Sequence, residues 1–435
     1  MGRSTISGWL VSSGQQFLDW SAAYRLFNCA RVDVSEMFSV IRKEILSMND
    51  PDESNIYAHM DDTLLRKTGK KVSGAKWLRD PLGPPFQTNL VWGQRFLQIC
   101  LSQFNKMGTV PCKTIPVEMV HCPAPLKPGK KATQDQKDAF KEIQKKLKMS
   151  LVGVDRVNKL RQNLTQDGYP DRKLVVSVDG SYTNQTVLKN LSEGVTLIGR
   201  IRKDCKLNAL PELQASTGRK RLYGSDLPTP EQIRQSNDYE WQPILGYAAG
   251  NVHRFKIKTI DKVRWRKAGE KNLRLIIIKP VGYRLRKKSD LLYRDPIYLI
   301  CTDTELQLEK LIQAYLWRWG IEVNFREEKN MLGFGQAQVR KEIACENVPA
   351  FHTSIYAMLL LSGIKSNKVN LPRPKWYPRK KNKATTGDLL NNFRATNWAE
   401  KMKISFSDFI NIELNHRSRK NVTNPCLSAV LYARN

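Results

Sequence analysis

Hydrophobic residues follow two different spacings along the chain, and each spacing predicts one kind of element. Apolar positions recur every three to four residues in three stretches, which predicts helices over 15–27, 34–46 and 133–165. The third stretch opens with Thr133 and Gln136, which form a capping-box pattern. Short apolar runs between turn residues predict strands at 56–60, 90–101, 110–120, 173–179 and 195–202. We therefore expect an α/β protein with a mixed sheet.

The chain changes character after residue 202. Strand-like runs at 253–260 and 273–281 lie among turns, and residues 251–294 carry 15 Lys or Arg against 3 Asp or Glu. A strand at 297–301 and a helix from about residue 304 follow. This order predicts a β-rich segment between two α/β parts. Residues 365–383 hold eight Lys or Arg, three prolines and no acid, a composition that favours an extended linker.

Charge narrows the choice of partner. The chain of 435 residues has 72 Lys or Arg and 41 Asp or Glu, a formal charge of +31, and a pI near 9.8. Such a charge favours a polyanionic partner, of which nucleic acid is the default and a ribosomal or membrane-surface site the alternative. No apolar run approaches the ~18 residues of a membrane span, and the N-terminus has no secretory pattern. We expect a cytoplasmic, nucleoid-associated protein.

Cysteine and histidine usage argues against a structural zinc site. The eight cysteines are far apart without a CxxC pair, and the five histidines are equally scattered. Free thiols in a reducing compartment are the simplest interpretation.

Three acidic residues stand out by their positions. Asp61 is expected to end the first predicted strand, Asp179 ends the run at 173–179, and Glu322 lies in the late helix. Strand ends meet at one edge of a sheet, so the two aspartates can converge there. Carboxylates are the hard oxygen ligands that Mg²⁺ prefers, and three of them can hold two ions for an in-line phosphoryl displacement.

The late helix carries a polar stripe around Glu322. At about 100° per residue, Tyr315, Arg318, Glu322 and Lys329 project from one narrow face. An arginine can fork onto phosphate oxygens and a lysine supplies a point charge. This stripe is typical of a phosphate-binding surface rather than of a hydrophobic core face.

These residues resemble a known family. The spacing Tyr315-x2-Arg318-x3-Glu322-x6-Lys329 is similar to the Y-x2-R-x3-E-x6-K signature of DDE transposases from bacterial insertion sequences, which are ribonuclease H-like enzymes. The segments Met-Asp61-Asp-Thr and Val-Asp179-Gly-Ser resemble those that carry the first two acids of the family. The 142 residues between Asp179 and Glu322 match the β-rich insertion that the family places before its last catalytic helix.

The resemblance implies a domain order as well as a fold. It implies an α/β ribonuclease H-like mixed-sheet core interrupted by a β-rich insertion, with a helical N-terminal domain and a basic C-terminal region. The expected segments are 1–52 (helical, a DNA-binding domain or a structural collar), 53–202 (first part of the core), 203–295 (insertion), 296–364 (second part of the core, with the Glu322 helix) and 365–435 (basic linker and tail).

The resemblance also implies a reaction and its partners. A homodimer would synapse the terminal inverted repeats of an element, cleave double-stranded DNA there, and join the freed 3′-hydroxyl ends to target DNA. Two Mg²⁺ ions, or Mn²⁺, would be held by Asp61, Asp179 and Glu322, with no small-molecule cofactor and no membrane partner. Phosphates near the cut would meet Tyr315, Arg318 and Lys329.

Basic residues of the insertion are further candidates for DNA contact. Trp265 is a candidate for stacking on a flipped base, and its neighbours Arg264, Arg266 and Lys267 for contact with the DNA backbone.

Several alternatives stay open at the level of sequence. Asp62 competes with Asp61 as the first ligand, and Asp179 could simply form an Asp-Gly turn. Glu327 and Glu328 compete with Glu322 as the third acid, although their position is more typical of a solvated helix end. A catalytically silent DNA-binding protein derived from a transposase, or a structure-selective nuclease with the same type of site, would carry similar residues.

Overall fold

A computed structural model describes the chain except residues 1–3, 30, 81–82, 85–86, 88, 105–111, 124, 126, 213–220, 287–288, 367–370, 372–383, 411, 416–419, 424–429 and 432–435. The helices are α1 (Ile6–Ser12), α2 (Ser21–Asn28), α3 (Val34–Met48), α4 (Gln134–Lys146), α5 (Met149–Gln166), α6 (Gln185–Asn190), α7 (Pro230–Gln235), α8 (Leu308–Trp317), α9 (Trp319–Met331), α10 (Glu342–Lys365), α11 (Thr386–Lys401) and α12 (Phe406–Ile410), with a 3₁₀ turn at Arg266–Ala268. The strands are β1 (Asn55–Arg66), β2 (Lys76–Arg79), β3 (Leu90–Gln103), β4 (Lys113–His121), β5 (Lys173–Val178), β6 (Val195–Arg200), β7 (Gln242–Ala248), β8 (Asn251–Val263), β9 (Leu273–Ile278), β10 (Gly282–Tyr283), β11 (Leu292–Tyr293), β12 (Ile297–Cys301), β13 (Ile412–Asn415) and β14 (Lys420–Thr423).

One large sheet organises residues 42–324. Its strand order is β2-β3-β1-β5-β6-β12-β9-β8-β7, and β4 also pairs with β3. Strands β3 and β4 are antiparallel to β1 or to each other, whereas β5 and β6 run parallel to β1. Three antiparallel strands followed by two parallel ones are the arrangement expected of a ribonuclease H-like core, so the predicted fold class is confirmed.

Helices cover both faces of the sheet around the central strand β5. Five of its six residues, Leu174 to Val178, are buried, which is typical of a parallel strand covered on both faces. On one face, Tyr57 of β1 packs edge-on against Trp317 of α8 with ring centroids 5.7 Å apart. On the other, Met60 lies beside Gly153 of α5. Helices α8 and α5 therefore cover opposite faces of the sheet.

The β-rich segment predicted at 203–295 extends the same sheet. Strand β12 pairs with β6 on one side and with β9 on the other, and β9 leads through β8 to β7. Among the described residues of this segment, β10 and β11 form a separate hairpin, and Asn208 makes isolated bridges to Asp226 and Arg264. The segment therefore interrupts the core in sequence but continues it in space.

Two predicted helices differ in the structure. The helix predicted at 15–27 is shorter, since α2 begins only at Ser21. The helix predicted at 133–165 opens with the expected capping box at Thr133 but breaks at Lys148, which is extended. None of the residues of α4 is buried, while α5 buries seven, so only the second half is held against the core.

A second compact unit comprises residues 1–41 and 325–435. Its N-terminal helices pack on α10, where Trp9 lies 4.7 Å from His352 and Phe27 lies 5.3 Å from Phe351, measured between ring centroids. A smaller apolar cluster joins α11 and α12 around Phe409. These helices were not expected from the basic composition of the C-terminal region, and most of the linker predicted at 365–383 lies outside the described residues.

None of the helices in the described parts of the chain is both long enough and apolar enough to span a membrane.

Candidate active site

The register of two parallel strands brings Asp61 and Asp179 side by side. Pairing between β1 and β5 ends at Met60 opposite Val178, so each aspartate is the next residue on its own strand. Our expectation that Asp61 ends its strand is wrong, because β1 continues to Arg66, paired with Gly93 of β3. The pairing of β1 with β5 ends at Met60, because β5 itself ends at Val178. Asp61 therefore lies beside the turn that carries Asp179.

Alternation along β1 separates Asp61 from Asp62. Successive strand residues point to opposite faces, so Asp61 shares the α8 face with Tyr57 and contacts Arg318. Asp62 points to the other face, where its Oδ1 accepts a hydrogen bond of 2.8 Å from the Tyr182 hydroxyl. Its Oδ2 lies 3.4 Å from Arg95 Nε. These contacts favour Asp61 over Asp62 as the carboxylate of the site.

A hydrogen-bonded turn holds Asp179 at the end of β5. Its Oδ1 accepts from the Ser181 backbone N–H at 2.9 Å and from the Ser181 hydroxyl at 2.6 Å. The Thr183 hydroxyl donates to the Asp179 backbone oxygen at 2.8 Å. The Asp-Gly dipeptide thus does form a turn, and the turn fixes the carboxylate rather than excluding it from the site.

Strand β4 anchors the junction between α8 and α9. The Thr114 hydroxyl donates to the Trp317 carbonyl, and the Asn324 amide donates to the Thr114 carbonyl at 3.0 Å. A Cβ added to Gly320 would lie only 2.2 Å from Thr114 Oγ1. The absence of a side chain at residue 320 therefore lets the junction approach the sheet closely and sets the positions of Arg318 and Glu322.

Arg318 lies between the acids, at the residue that separates α8 from α9. Its Nη1 is 3.3 Å from Asp61 Oδ2 and its Nη2 is 3.0 Å from Glu322 Oε1. Its guanidinium carbon also lies 5.8 Å from the centre of the Tyr315 ring. Carboxylates from β1 and from α9 therefore converge on one guanidinium.

The electrostatics of Asp61 reflect this crowding. The pKa of Asp61 is raised to about 7, first by burial and second by the charge of Asp179, against opposing effects of the Asp62 backbone N–H and of Arg318. A carboxyl group raised this far lacks sufficient positive charge around it. An added cation at this position would stabilise the ionised form.

The donor set can be tested for a divalent ion. Within the described residues, no three His, Cys, Asp or Glu side chains are placed to hold a metal ion together, because Arg318 bridges Asp61 and Glu322. Asp61 and Asp179 nevertheless fit one, since they are adjacent, oxygen-donating and short of positive charge. Glu322 can join them only by turning away from Arg318, and its 34 % exposed side chain leaves room for that.

The other predicted members of the stripe differ in exposure. Tyr315 is 8 % exposed and belongs to a hydrophobic core cluster. Its buried ring packs against the Arg318 guanidinium. Lys329 lies two turns beyond Glu322 on α9 and is half-buried. Glu327 accepts hydrogen bonds from Tyr356 and Thr386, and Glu328 is 1 % exposed. The interpretation of these two glutamates as a solvated helix end is therefore wrong.

The structure corrects the prediction for Trp265. Its ring is only 6 % exposed, so neither face is open to a flipped base. Arg264 has two buried guanidinium nitrogens without a partner among the described residues, and Arg266 lies over the Tyr223 ring at 5.9 Å. Lys267 is exposed. Of this basic group, Lys267 and Arg266 remain at the surface.

Sequence reasoning missed residues that act through packing. Tyr182, which holds Asp62, and Gly320 carry no charge and belong to no spacing that would mark them. Trp319 is 59 % exposed and lies three residues before Glu322. The helix period could have identified Trp319, because it puts residues 319 and 322 on one face of the helix.

Comparison with known proteins gives one positive result. The family model described as DDE superfamily endonuclease matches residues 19–268, more than half of the chain. The matched range contains Asp61 and Asp179 and ends before Glu322. A search of curated proteins finds no match.

Proposed function

Because the chain belongs to the DDE superfamily of endonucleases, we propose that it is a transposase of the insertion-sequence type. It cleaves DNA at the terminal inverted repeats of an element and joins the freed 3′-hydroxyl ends to target DNA. The signature spacing from Tyr315 to Lys329 supports the transposase assignment beyond endonuclease activity in general.

The single observation that carries this proposal is the convergence of acids on Arg318. Asp61 and Glu322 contact the same guanidinium, and Asp179 is close enough to raise the pKa of Asp61. The three residues are far apart in sequence: Asp61 lies within β1, Asp179 follows the end of β5 and Glu322 lies in α9. Convergence of this kind has no structural need, since a buried charge cluster is costly to assemble.

Each side chain has a role in the proposed reaction. Asp61, Asp179 and Glu322 would hold divalent ions, Mg²⁺ or Mn²⁺, which supply the positive charge that activates water and stabilises the leaving oxygen. Arg318 would donate its two Nη groups to oxygens of the scissile phosphate. Tyr315 keeps the guanidinium in place from below, and the turn after Asp179 prevents that carboxylate from swinging into solvent.

The proposal includes a homodimer on DNA. Two ends of an element must be brought together before both are joined to a target, so two copies of the site are required. The formal charge of +31 suits a protein that binds two or more DNA segments at once.

An excision assay tests the proposal. A plasmid carries a marker between the two DNA segments that flank the coding region in its genome, and excision is counted with and without the protein. We expect Asp179→Asn and Glu322→Gln to abolish excision while DNA binding persists. Asp62→Asn is the matched control, because its carboxylate faces the opposite side of β1, and it should keep most of the activity.

Each other result identifies a different function. Excision at the wild-type rate by Asp179→Asn would contradict the catalytic assignment. Binding of the flanking DNA without cleavage in either Mg²⁺ or Mn²⁺ would favour a silent DNA-binding protein. Cleavage of branched DNA without joining of a 3′-hydroxyl end would favour a structure-selective nuclease.

A further inference from the structure

A concave surface lined by lysines lies near the turn that carries Asp179. The cavity has a volume of about 570 Å³, and no Asp or Glu lines it. It is formed by the residues around the start of α5, by α6 and by the 3₁₀ turn. Its main lining groups are three ammonium groups with side-chain amides and a hydroxyl, from Lys148, Lys189, Lys267, Asn184, Gln185 and Thr186.

The three lysines have no acidic partner. In the described residues, Lys148 Nζ has only a hydrogen bond of 3.4 Å to the Thr186 hydroxyl, and Lys267 Nζ lies 5.0 Å from the centre of the Trp265 ring. By contrast, Lys141 and Lys145 on the exposed helix α4 are paired with acids. Three unpaired cations around one cavity repel each other, so the arrangement suits an anion that neutralises them.

The wall of this cavity is tied to the candidate active site. Asn184 follows Asp179 by five residues, so the two Cα atoms are at most about 17 Å apart. The Asn184 amide donates to the Ser181 carbonyl at 2.7 Å and to the Ser150 hydroxyl at 2.9 Å. These hydrogen bonds join the turn after Asp179 to the start of α5. One wall of the cavity and the turn that carries Asp179 are therefore parts of one hydrogen-bonded structure.

We propose that this lysine cavity binds backbone phosphates of the DNA strand beside the scissile phosphate. The inference rests on the proposed function, because it assumes that a DNA strand passes Asp179. The ammonium groups supply charge, while the Gln185 amide and the Thr186 hydroxyl donate to phosphate oxygens. The contacts are to the backbone, so they position the strand without reading its sequence.

DNA binding without divalent ions tests the proposal separately from cleavage. The full-length protein is titrated in EDTA into a fluorescein-labelled 30-bp duplex, and anisotropy is followed at several salt concentrations. The variant carries Lys148→Gln, Lys189→Gln and Lys267→Gln together. The matched control carries Lys137→Gln, Lys141→Gln and Lys145→Gln on α4, which lowers the net charge equally.

We expect the cavity variant to lose roughly 100-fold in affinity at 0.15 M salt, with a salt slope smaller by about 2 to 3, since each phosphate contact contributes about 0.9. The control should lose less than about fivefold. Thermal denaturation should show that the cavity variant melts no lower than the wild type, because removal of repelling surface charges does not disturb the core. If the triple variant fails to fold, Lys189→Gln alone should still lose about fivefold in affinity.

Three results would overturn the proposal. Equal losses in the two triple variants would mean that net charge, not the cavity, binds DNA. An unchanged salt slope would mean that the lysines meet no phosphate. Calorimetric binding of inorganic phosphate or a deoxynucleoside monophosphate, lost in the cavity variant while duplex affinity is kept, would make the cavity a small-molecule site. All three would leave the excision test of the acids untouched.

Discussion

Two cations, Lys258 in the sheet and Arg318 between α8 and α9, have opposite surroundings. Lys258 of β8 is 2 % exposed, and its Nζ donates to the backbone oxygens of Ile233, Arg234 and Ser236 at 3.0, 3.0 and 2.6 Å. Those carbonyls lie at the end of α7, so one ammonium group satisfies a helix C-terminus with its three donors. Among the described residues no carboxylate forms an ion pair with Lys258, and all three N–H donors of its ammonium group are used.

Arg318 has charged partners and unused capacity. It contacts two carboxylates from different elements, and its Nε makes no hydrogen bond within the described residues. Backbone carbonyls, the partners of Lys258, are neutral and fixed, which suits a cation that only stabilises the fold. Carboxylates, the partners of Arg318, can exchange one cation for another. Lys258 therefore stabilises the extension of the sheet, and the surroundings of Arg318 support the role that we propose for it in the reaction.

The largest effect is expected at Arg318. Arg318→Met removes the guanidinium but keeps an unbranched side chain of similar length, so excision should fall at least about 10²-fold, as for loss of one group that stabilises transition-state charge. Arg318→Lys should restore only a small part of the excision, because an ammonium group cannot bind two phosphate oxygens in bidentate fashion. If Arg318→Met excised as well as the wild type, Arg318 would have no role in the reaction and would not differ from Lys258 in function.

A change at Gly320 tests the junction that positions Arg318 and Glu322. Gly320→Val adds atoms where a Cβ alone would lie 2.2 Å from Thr114 Oγ1, so α9 must move away from β4. We expect excision to fall about tenfold or more and the free energy of unfolding to drop by about 1–3 kcal/mol. Urea denaturation and the excision assay measure the two losses. Thr114→Gly in the same chain removes both Oγ1 and the Cβ that would lie 2.5 Å away, so it should restore part of the excision, and no restoration would contradict the packing explanation.

Lys258 should show the reverse pattern. Lys258→Met leaves three buried carbonyl oxygens without donors, which should lower the free energy of unfolding by about 2–3 kcal/mol. Excision per folded molecule should stay near the wild-type value. Normal stability with lost excision would mean that Lys258, too, serves the reaction.

Trp265 provides a smaller test in the same extension. Because the ring is buried, Trp265→Phe should lower the free energy of unfolding by about 1 kcal/mol and leave the affinity for DNA unchanged. A selective loss of DNA affinity with unchanged stability would return Trp265 to the DNA surface.

The pH dependence of stability gives the finest comparison. The pKa of Asp61 is about 7 in the folded chain and near 3.9 when unfolded, so between these values the folded state holds a proton that the unfolded state has lost. Stability of the chain in EDTA should therefore fall as pH rises from about 4 to 7. Denaturation of Asp61→Asn at the same pH values should show a smaller fall. An equal fall in both proteins would assign the effect to other groups.

Much of the core could be predicted from local patterns. The apolar run at 173–179 and the capping box at Thr133 appear where expected, and the spacing around Glu322 identified the late helix. These features depend on neighbouring residues, so a single sequence contains them.

Other features depend on contacts distant in sequence. The break at Lys148 follows from packing of α5 alone against the sheet, and the burial of Trp265 follows from a sheet that continues beyond β12. Likewise, the position of Arg318 between two acids requires β4 to hold the helix junction. Residue type and spacing carry none of this information.

The central claim is that Asp61, Asp179 and Glu322 form one divalent-ion site. Isothermal titration of Mn²⁺ into the full chain, repeated with Asp61→Asn, Asp179→Asn and Glu322→Gln and with Asp62→Asn as the control, measures it directly. The account predicts binding by the wild type and by Asp62→Asn, and at least tenfold weaker binding by each of the other three. Equal affinity in all five proteins would contradict it.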